Sequence, residues 1–283
     1  EWARLNLENK TKAGAVGYST GIVVPDLAEC RGRVERIFAE QFHPRSRLRP
    51  DLDAGRLFNI SLGMPVGEYA IVEAAFLILG ADPQAMPIES VGRLLRSPFI
   101  SGAHAPDAPQ TGDARDPAGA AGNEWTARAL LDGALRSLKE PEVSVADIMR
   151  MAETPNVAYH CPQMASLLSM WVEARKILKP SQMPSDWATA LSALLAAFVW
   201  PGEGHLNSAE FQTMKVWNEL LSEFAGLDSV AGVMTLPVAV GTLHRLAASR
   251  QFQPESGPAP VQILGVFEAS GLRFDRLWMM GMH

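Results

Sequence analysis

Cysteine is nearly absent from this chain of 283 residues: Cys30 and Cys161 are the whole complement. Two thiols cannot build a disulfide framework, so the fold must rest on an apolar core, with both thiols expected to be reduced in a cytosolic setting. Lysine is scarce as well. Six lysines (Lys10, Lys12, Lys139, Lys176, Lys179 and Lys215) stand beside 19 arginines, and none of the six follows a glycine. That excludes a P-loop, whose lysine reaches the phosphates from a glycine-rich backbone nest. It leaves no route to ATP hydrolysis through such a loop. A restriction-type nuclease core needs an acid, then Asp or Glu two residues before Lys, to hold a divalent metal. Only Glu8 and Lys10 have that spacing, and no acid precedes them at a useful distance. The six histidines form no H-E-x-x-H and no pair at ligand spacing; His160 adjoins Cys161, but two neighbours do not make a tetrahedral zinc site. No apolar run reaches the length of a membrane span.

What remains is ordinary globular composition: 47% hydrophobic, 20% charged, net charge -6 and pI about 5.6. The length suits one large or two modest domains. An acidic chain does not announce nucleic-acid binding, yet its cations are clustered. Arg31, Arg33, Arg36, Arg45, Arg47 and Arg49 fall within one short stretch against two acids, Glu35 and Glu40. Guanidinium forks suit phosphate oxygens and surface carboxylates equally. The N-terminus, "EWARLNLENKTK", has neither an initiator Met nor a signal-peptide core. We expect a piece of a longer protein.

Along the chain, "AGAVGYSTGIVVPD" reads as a turn into a short buried strand, Ile22 to Val24, ended by Pro25. Asp26 is placed to cap the helix "LAECRGRVERIFAEQF", whose apolar Leu27, Cys30, Val34, Ile37 and Phe38 recur at helical spacing. "RLFNISLGMPVGEY" gives a strand-like piece and a turn, and "YAIVEAAFLILG" a helix apolar nearly all round, hence buried. From about residue 82 the character changes. The stretch from about 101 to 124 is rich in Ala, Gly, Pro and Asp and reads as a mobile loop. Helices follow. One stripe carries Trp125, Leu131, Leu135 and Leu138; the next Met164, Leu167, Trp171 and Leu178. A third has Ser185 as its N-cap, then Trp187, Leu191, Leu194, Leu195 and Phe198. A fourth opens on the capping-box pair Asn207 and Glu210 and carries Phe211, Met214, Trp217, Leu221 and Phe224. These Trp and Met stripes predict core packing. The last residues return to strand character, Val261 to Phe267 and Leu277 to Met280, the latter resembling a buried strand. A helical module inserted between two parts of one α/β domain explains the order.

The closing stretch carries a family likeness. "VFEASGLRFDRLWMMG" is a strand, a Gly-Leu-x-Phe-Asp elbow and a strand ending in Gly. It resembles the fifth conserved motif region of superfamily 1 DNA helicases, roughly H-x-A-K-G-L-E-F-x-x-V. There the loop helps the second RecA-like domain contact single-stranded DNA. "GIVVPDLAECRGRVERIF" resembles the strand and helix that open that domain. "FNISLGMPVGEYAIVEAAFLILG", "LLRSPFI" and "WPGEGHLNSAEFQTMKVWNELLSEFAGLD" are similar to parts of AddB-type proteins and their relatives. Those relatives include bacterial DNA repair proteins with a helicase-like front and a PD-(D/E)xK nuclease at the back. The departures are specific: the helicase Lys position holds Ser270, the Glu position Arg273, and the Arg of the opening strand is replaced by Pro25.

The resemblance implies a second RecA-like domain with a parallel sheet, built from residues 1–81 and 259–283, and a large, mainly helical inserted subdomain at 82–258. Its motif elbow is Glu268, Ser270, Gly271, Phe274 and Asp275. It implies no catalytic residue, metal or cofactor in this segment, with ATP and Mg left to the parent protein. The partners implied are DNA, single-stranded, and a second helicase–nuclease subunit, in the cytoplasm. Single-strand grooves combine cations with stacking aromatics, so the contact candidates are Arg31, Arg33, Arg36, Arg45, Arg47, Arg49 and Arg273. A second reading is a helical protein-interaction scaffold that touches no DNA. A third takes "GYSTG" as a nucleophile elbow with Ser19 as nucleophile, although the strand before and helix after that such an elbow needs are not in place.

Overall fold

The structure, a computed structural model, describes residues 2–5, 19–42, 57–101, 124–204, 206–255 and 259–281. The expected loop at 101–124 lies almost wholly outside the described residues, as do Arg45, Arg47 and Arg49. The chain forms two compact units: one is Glu1–Met64 with Gln251–His283, the other Pro65–Arg250.

The first unit is α/β. Strands β1 (Thr20–Val23), β2 (Phe58–Ile60), β7 (Val261–Leu264) and β8 (Arg276–Met279) make one sheet in the order β2-β7-β1-β8. Every pairing is parallel, with Thr20 opposite both Val261 and Arg276, and Phe58 opposite Val261. Helix α1 (Leu27–Phe42) matches the predicted span. Because side chains alternate across a strand, Ile22, Val24, Ile60, Val261 and Ile263 share one face, and α1 covers it with Leu27 and Val34. Phe38, Phe42 and Phe58 stack along its margin at centroid separations of 5.6–6.0 Å. Asp26 serves α1 through its carbonyl, which accepts from the amides of Glu29 and Cys30.

One expectation fails here. The last strand is not buried: Leu277, Trp278, Met279 and Met280 are 41–55% exposed. The reason is position, since among the described residues β8 is the outer strand of the sheet and meets a neighbour only at β1.

The second unit is helical. After β3 (Met64–Pro65), a single 3-10 turn at Val66–Glu68 leads into α2 (Ala70–Gly80), followed by β4 (Met86–Pro87) and α3 (Ile88–Leu95). Then come α4 (Trp125–Ser137), β5 (Glu142–Val143), α5 (Val145–Ala152) and α6 (Pro162–Lys176). α7 (Pro184–Ala197), α8 (Ser208–Ala225), α9 (Asp228–Ala231) and α10 (Leu236–Ser249) complete the unit, and β6 (Gln251–Phe252) follows as the chain re-enters the first. As its apolar circumference predicts, α2 is buried; it packs on α7, α8 and α10. That packing draws it into the helical unit, so the division falls at Met64/Pro65 and the expected boundary near residue 81 lies just past α2. The two ends of this unit meet, the Val66 amide donating to the Arg250 carbonyl at 2.9 Å.

Trp171, Trp187 and Trp217 are among the largest fully buried side chains. The Trp187 indole donates to the Met234 carbonyl at 2.7 Å, and that of Trp200 to the Ile71 carbonyl at 2.9 Å. The capping box of α8 forms in both directions, at 3.0 and 2.8 Å. Ser185 is not the N-cap of α7. Pro184 already occupies the first turn, and the Ser185 amide and hydroxyl instead both donate to the Asp228 carboxylate. On α8 the buried stripe is Thr213, Trp217, Leu220 and Phe224, which turns Phe211 outward under the Lys215 ammonium.

The stripe on α4 differs from expectation in an informative way. Leu131 and Leu135 are buried, but Leu138 is 47% exposed, and the inward positions before them are filled by Glu124 and Arg128. The Arg128 side chain is wholly buried. Its Nη2 donates to the Ser101 carbonyl at 2.6 Å, and its guanidinium lies 3.4 Å from the Glu124 carboxylate. Glu124 in turn accepts the amides of Gln163 and Met164 at 2.6 and 2.9 Å, closing the N-terminus of α6. Arg128 Nη1 has no partner, and burial pulls the guanidinium below its ordinary range, offset in part by Glu124. The adjacent buried Cys161 thiol is pushed up to about 12, first by burial and then by Glu124.

Removing one member of a buried ion pair leaves the other uncompensated. Arg128→Leu should therefore lower the unfolding free energy by about 3–5 kcal/mol in a urea melt, whereas an exposed control such as Arg150→Leu should change it little. Cys161 holds its proton more tightly folded than unfolded. Its contribution to stability is therefore intact below the unfolded thiol value of 9.0 and lost as pH rises from there toward about 12. A pH series of melts should show Cys161→Ala losing less stability than the native chain across that interval.

Candidate nucleic-acid interface

The elbow between β7 and β8 is where the sheet reverses its winding. From β1 the chain crosses by α1 to β2, two strands away in one direction; from β7 it passes β1 to reach β8 in the other. Crossovers of one hand that move in opposite directions lie on opposite faces. The contacts agree: α1 covers the Ile22 face, while Phe274 of the elbow lies against Gly21 on the other. The carboxyl ends of the adjacent strands β1 and β7 thus form a topological switch point, where open α/β sheets leave a crevice.

The elbow is a defined turn. The Ala269 amide donates to the Gly265 carbonyl and that of Ser270 to Phe267, and Gly271 adopts a φ of +79°, which favours glycine. Glu268 reaches back so that one carboxylate oxygen accepts from the Gly265 amide at 2.5 Å and the Ser61 hydroxyl at 3.2 Å. The end of β7 is thereby tied to the end of β2. At the opposite end of the sheet, Asp275 accepts from both the amide and hydroxyl of Ser19, at 2.8 and 3.0 Å, while the amides of Asp275 and Arg276 donate to the Ser19 carbonyl. Ser19 is an anchor between the starts of β1 and β8. Its hydroxyl is spent on a carboxylate, and a strand rather than a helix follows it, so the nucleophile-elbow geometry is absent.

The proposed DNA contacts separate into three groups. Arg31 is half-buried and committed, donating to the Leu62 carbonyl, the Glu35 carboxylate and the Met64 sulfur. Arg33 and Arg36 are exposed on α1, with Glu29 and Glu40 one turn to either side of them. Arg273 is exposed on the elbow, next to Phe274, whose ring lies on the sheet face opposite α1. The structure therefore does not gather Arg273 with the α1 arginines. Ser270 is exposed at the tip of the turn. Two residues outside the contact candidates stand out: Phe267, expected as the end of a strand but 96% exposed in the turn that follows β7 at Leu264, and exposed Arg276 at the start of β8. The only sequence signal for Phe267 is a large aromatic inside a run with turn chemistry.

No protein-family model matches the chain, and no curated protein does. Among the described residues no helix is long and apolar enough to cross a membrane.

Phe274 holds the elbow on the sheet only because Gly21 has no Cβ. A methyl there would stand 2.6 and 2.8 Å from ring carbons of Phe274 and 2.9 Å from Leu277 Cδ1. Gly21→Ala should destabilise the α/β unit by about 1–3 kcal/mol and raise amide exchange along 265–276. Native-like exchange there would show that the elbow does not depend on this contact.

Proposed function

We propose that the chain is a non-catalytic, helicase-like part of a bacterial DNA repair and recombination helicase–nuclease, an exonuclease-type machine. In this reading the α/β unit is a second RecA-like domain and the helical unit its inserted subdomain. Its work is to hold single-stranded DNA and pass it toward a nuclease, with ATP and Mg used elsewhere in the parent and a second helicase–nuclease subunit as partner. One observation carries the proposal: the strand that resembles the domain opening, β1, and the strand that leads into the motif elbow, β7, are adjacent central strands of a parallel sheet. Sequence likeness alone did not require those distant segments to be neighbours. Arg273 and Phe267 supply the cation and the aromatic that strand-binding grooves combine.

A second reading, a protein-interaction scaffold without DNA binding, is favoured by charge. In the helical unit Arg93, Arg96, Arg128, Arg136, Arg150 and Arg250 all sit in ion pairs with acids of the same unit.

Fluorescence anisotropy with a labelled single-stranded oligonucleotide at two salt concentrations separates the two. DNA holding predicts binding that weakens steeply with salt, and Arg273→Ala should weaken it and reduce the salt slope by about one phosphate contact. Absence of binding at low salt, with the fold intact by circular dichroism, would leave the scaffold.

A further inference from the structure

We infer that Arg96 and Arg136 form a binding site for a phosphate group on the surface of the helical unit. That a DNA strand supplies the phosphate rests on the reading above; the site itself does not. Both cations are held by one acid. Asp132 of α4 accepts from Arg136 Nε at 2.9 Å through Oδ1 and from Arg96 Nη1 through Oδ2. Its carboxylate is buried, while the side chains of Arg96 and Arg136 are 46% and 41% exposed. Neither guanidinium has another acceptor among the described residues. Both therefore keep their Nη2 groups for a further ligand, and these converge. A Cβ at Gly92 of α3 would stand 2.6 Å from Arg136 Nη2 and 3.2 Å from Arg96 Nη2. Any larger residue at that position would force the two groups apart.

Charge and shape select the occupant. Two guanidinium ions share one carboxylate, so one positive charge is left over. Neighbouring Arg93 is matched by Glu73 at 3.2 Å and adds none. The acids nearest in sequence, Glu89 and Glu140, lie toward the end where the Ile88 amide meets the Pro141 carbonyl, beyond Gly92 from Arg96. Asp132 Oδ1 also lies 2.6 Å from the Gly92 Cβ position, so an anion sits outward of it, against the exposed Nη2 groups. A planar carboxylate matches one guanidinium fork in one plane, and Asp132 already takes that part. A tetrahedral phosphate presents oxygens in several directions and accepts from two guanidinium groups at once. Arginines already fixed by a buried acid also lose little side-chain freedom on binding, a cost that otherwise weakens such contacts.

The test uses the whole chain and two probes. Inorganic phosphate, titrated against chloride at equal ionic strength, should raise the melting temperature of the native chain in a saturable way. Gly92→Ala keeps every charge and puts a methyl where the two Nη2 groups meet. Arg96→Lys keeps a cation on Asp132 and removes the second fork. Each variant, with its helices intact by circular dichroism, should bind phosphate about tenfold more weakly or worse. The second probe is a labelled single-stranded oligonucleotide followed by anisotropy. If a strand supplies the phosphate, both variants weaken its binding and lower the salt slope by about one contact; if free phosphate is the ligand, only the first probe responds. A phosphate response that is absent from the native chain, or equal in native and both variants, overturns the inference. An oligonucleotide that fails to bind the native chain, with the phosphate response intact, sinks the DNA reading and leaves this site standing.

Discussion

The α/β unit exists because two segments from opposite ends of the chain hydrogen-bond to each other. The β1–β7 ladder, with Thr20 opposite Val261 and Val23 opposite Leu264, is the centre of the sheet. Among the described residues β2 attaches only through β7, and β8 only through β1. Without the central ladder neither edge has a neighbour, α1 has no apolar face to cover, and the elbow has no floor. The elbow and the placing of its exposed residues are thus consequences of one long-range pairing, held at its two ends by Glu268 and by the Ser19–Asp275 contacts.

Much of this was legible in the residues, and the reasons are local. Helix α1 announced itself by 3.6-residue spacing behind Asp26, and α8 by a capping box that the structure forms in both directions. The buried Trp187 and Trp217 followed from stripes in which several apolar residues agree. A mixed α/β plan with a parallel sheet was also readable, because a short apolar strand followed at once by a helix is half of such a unit.

What was not legible depends on partners remote in sequence. Nothing local marks Arg128 as a buried cation; it becomes one when the Ser101 carbonyl, 27 residues away in sequence, is brought to it. Ser185 looks like a cap until Asp228 arrives to accept from it. β8 has the composition of an inner strand, and only the strand order reveals it as an edge. For the candidate site, the elbow and its glycine could be recognised from their pattern, whereas the separation of Arg273 from the α1 arginines rests on which face each crossover takes.

The meeting of Val66 with Arg250 has a consequence for how the chain folds. Closing a flexible loop costs entropy that grows with its length, by about 0.6 kcal/mol per doubling, and long-range parallel pairing is slow for that reason. The segment between β2 and β7 need not act as a flexible loop. Its helices find one another mostly through neighbours in sequence, and once they have done so its two ends are already side by side. The chain that must still form β1 and β7 then behaves as if the insert were a short hairpin connection. Loop-closure entropy thus favours the helical unit forming first and the sheet second, and β1 can pair with β7 only once Val261–Leu264 has been made.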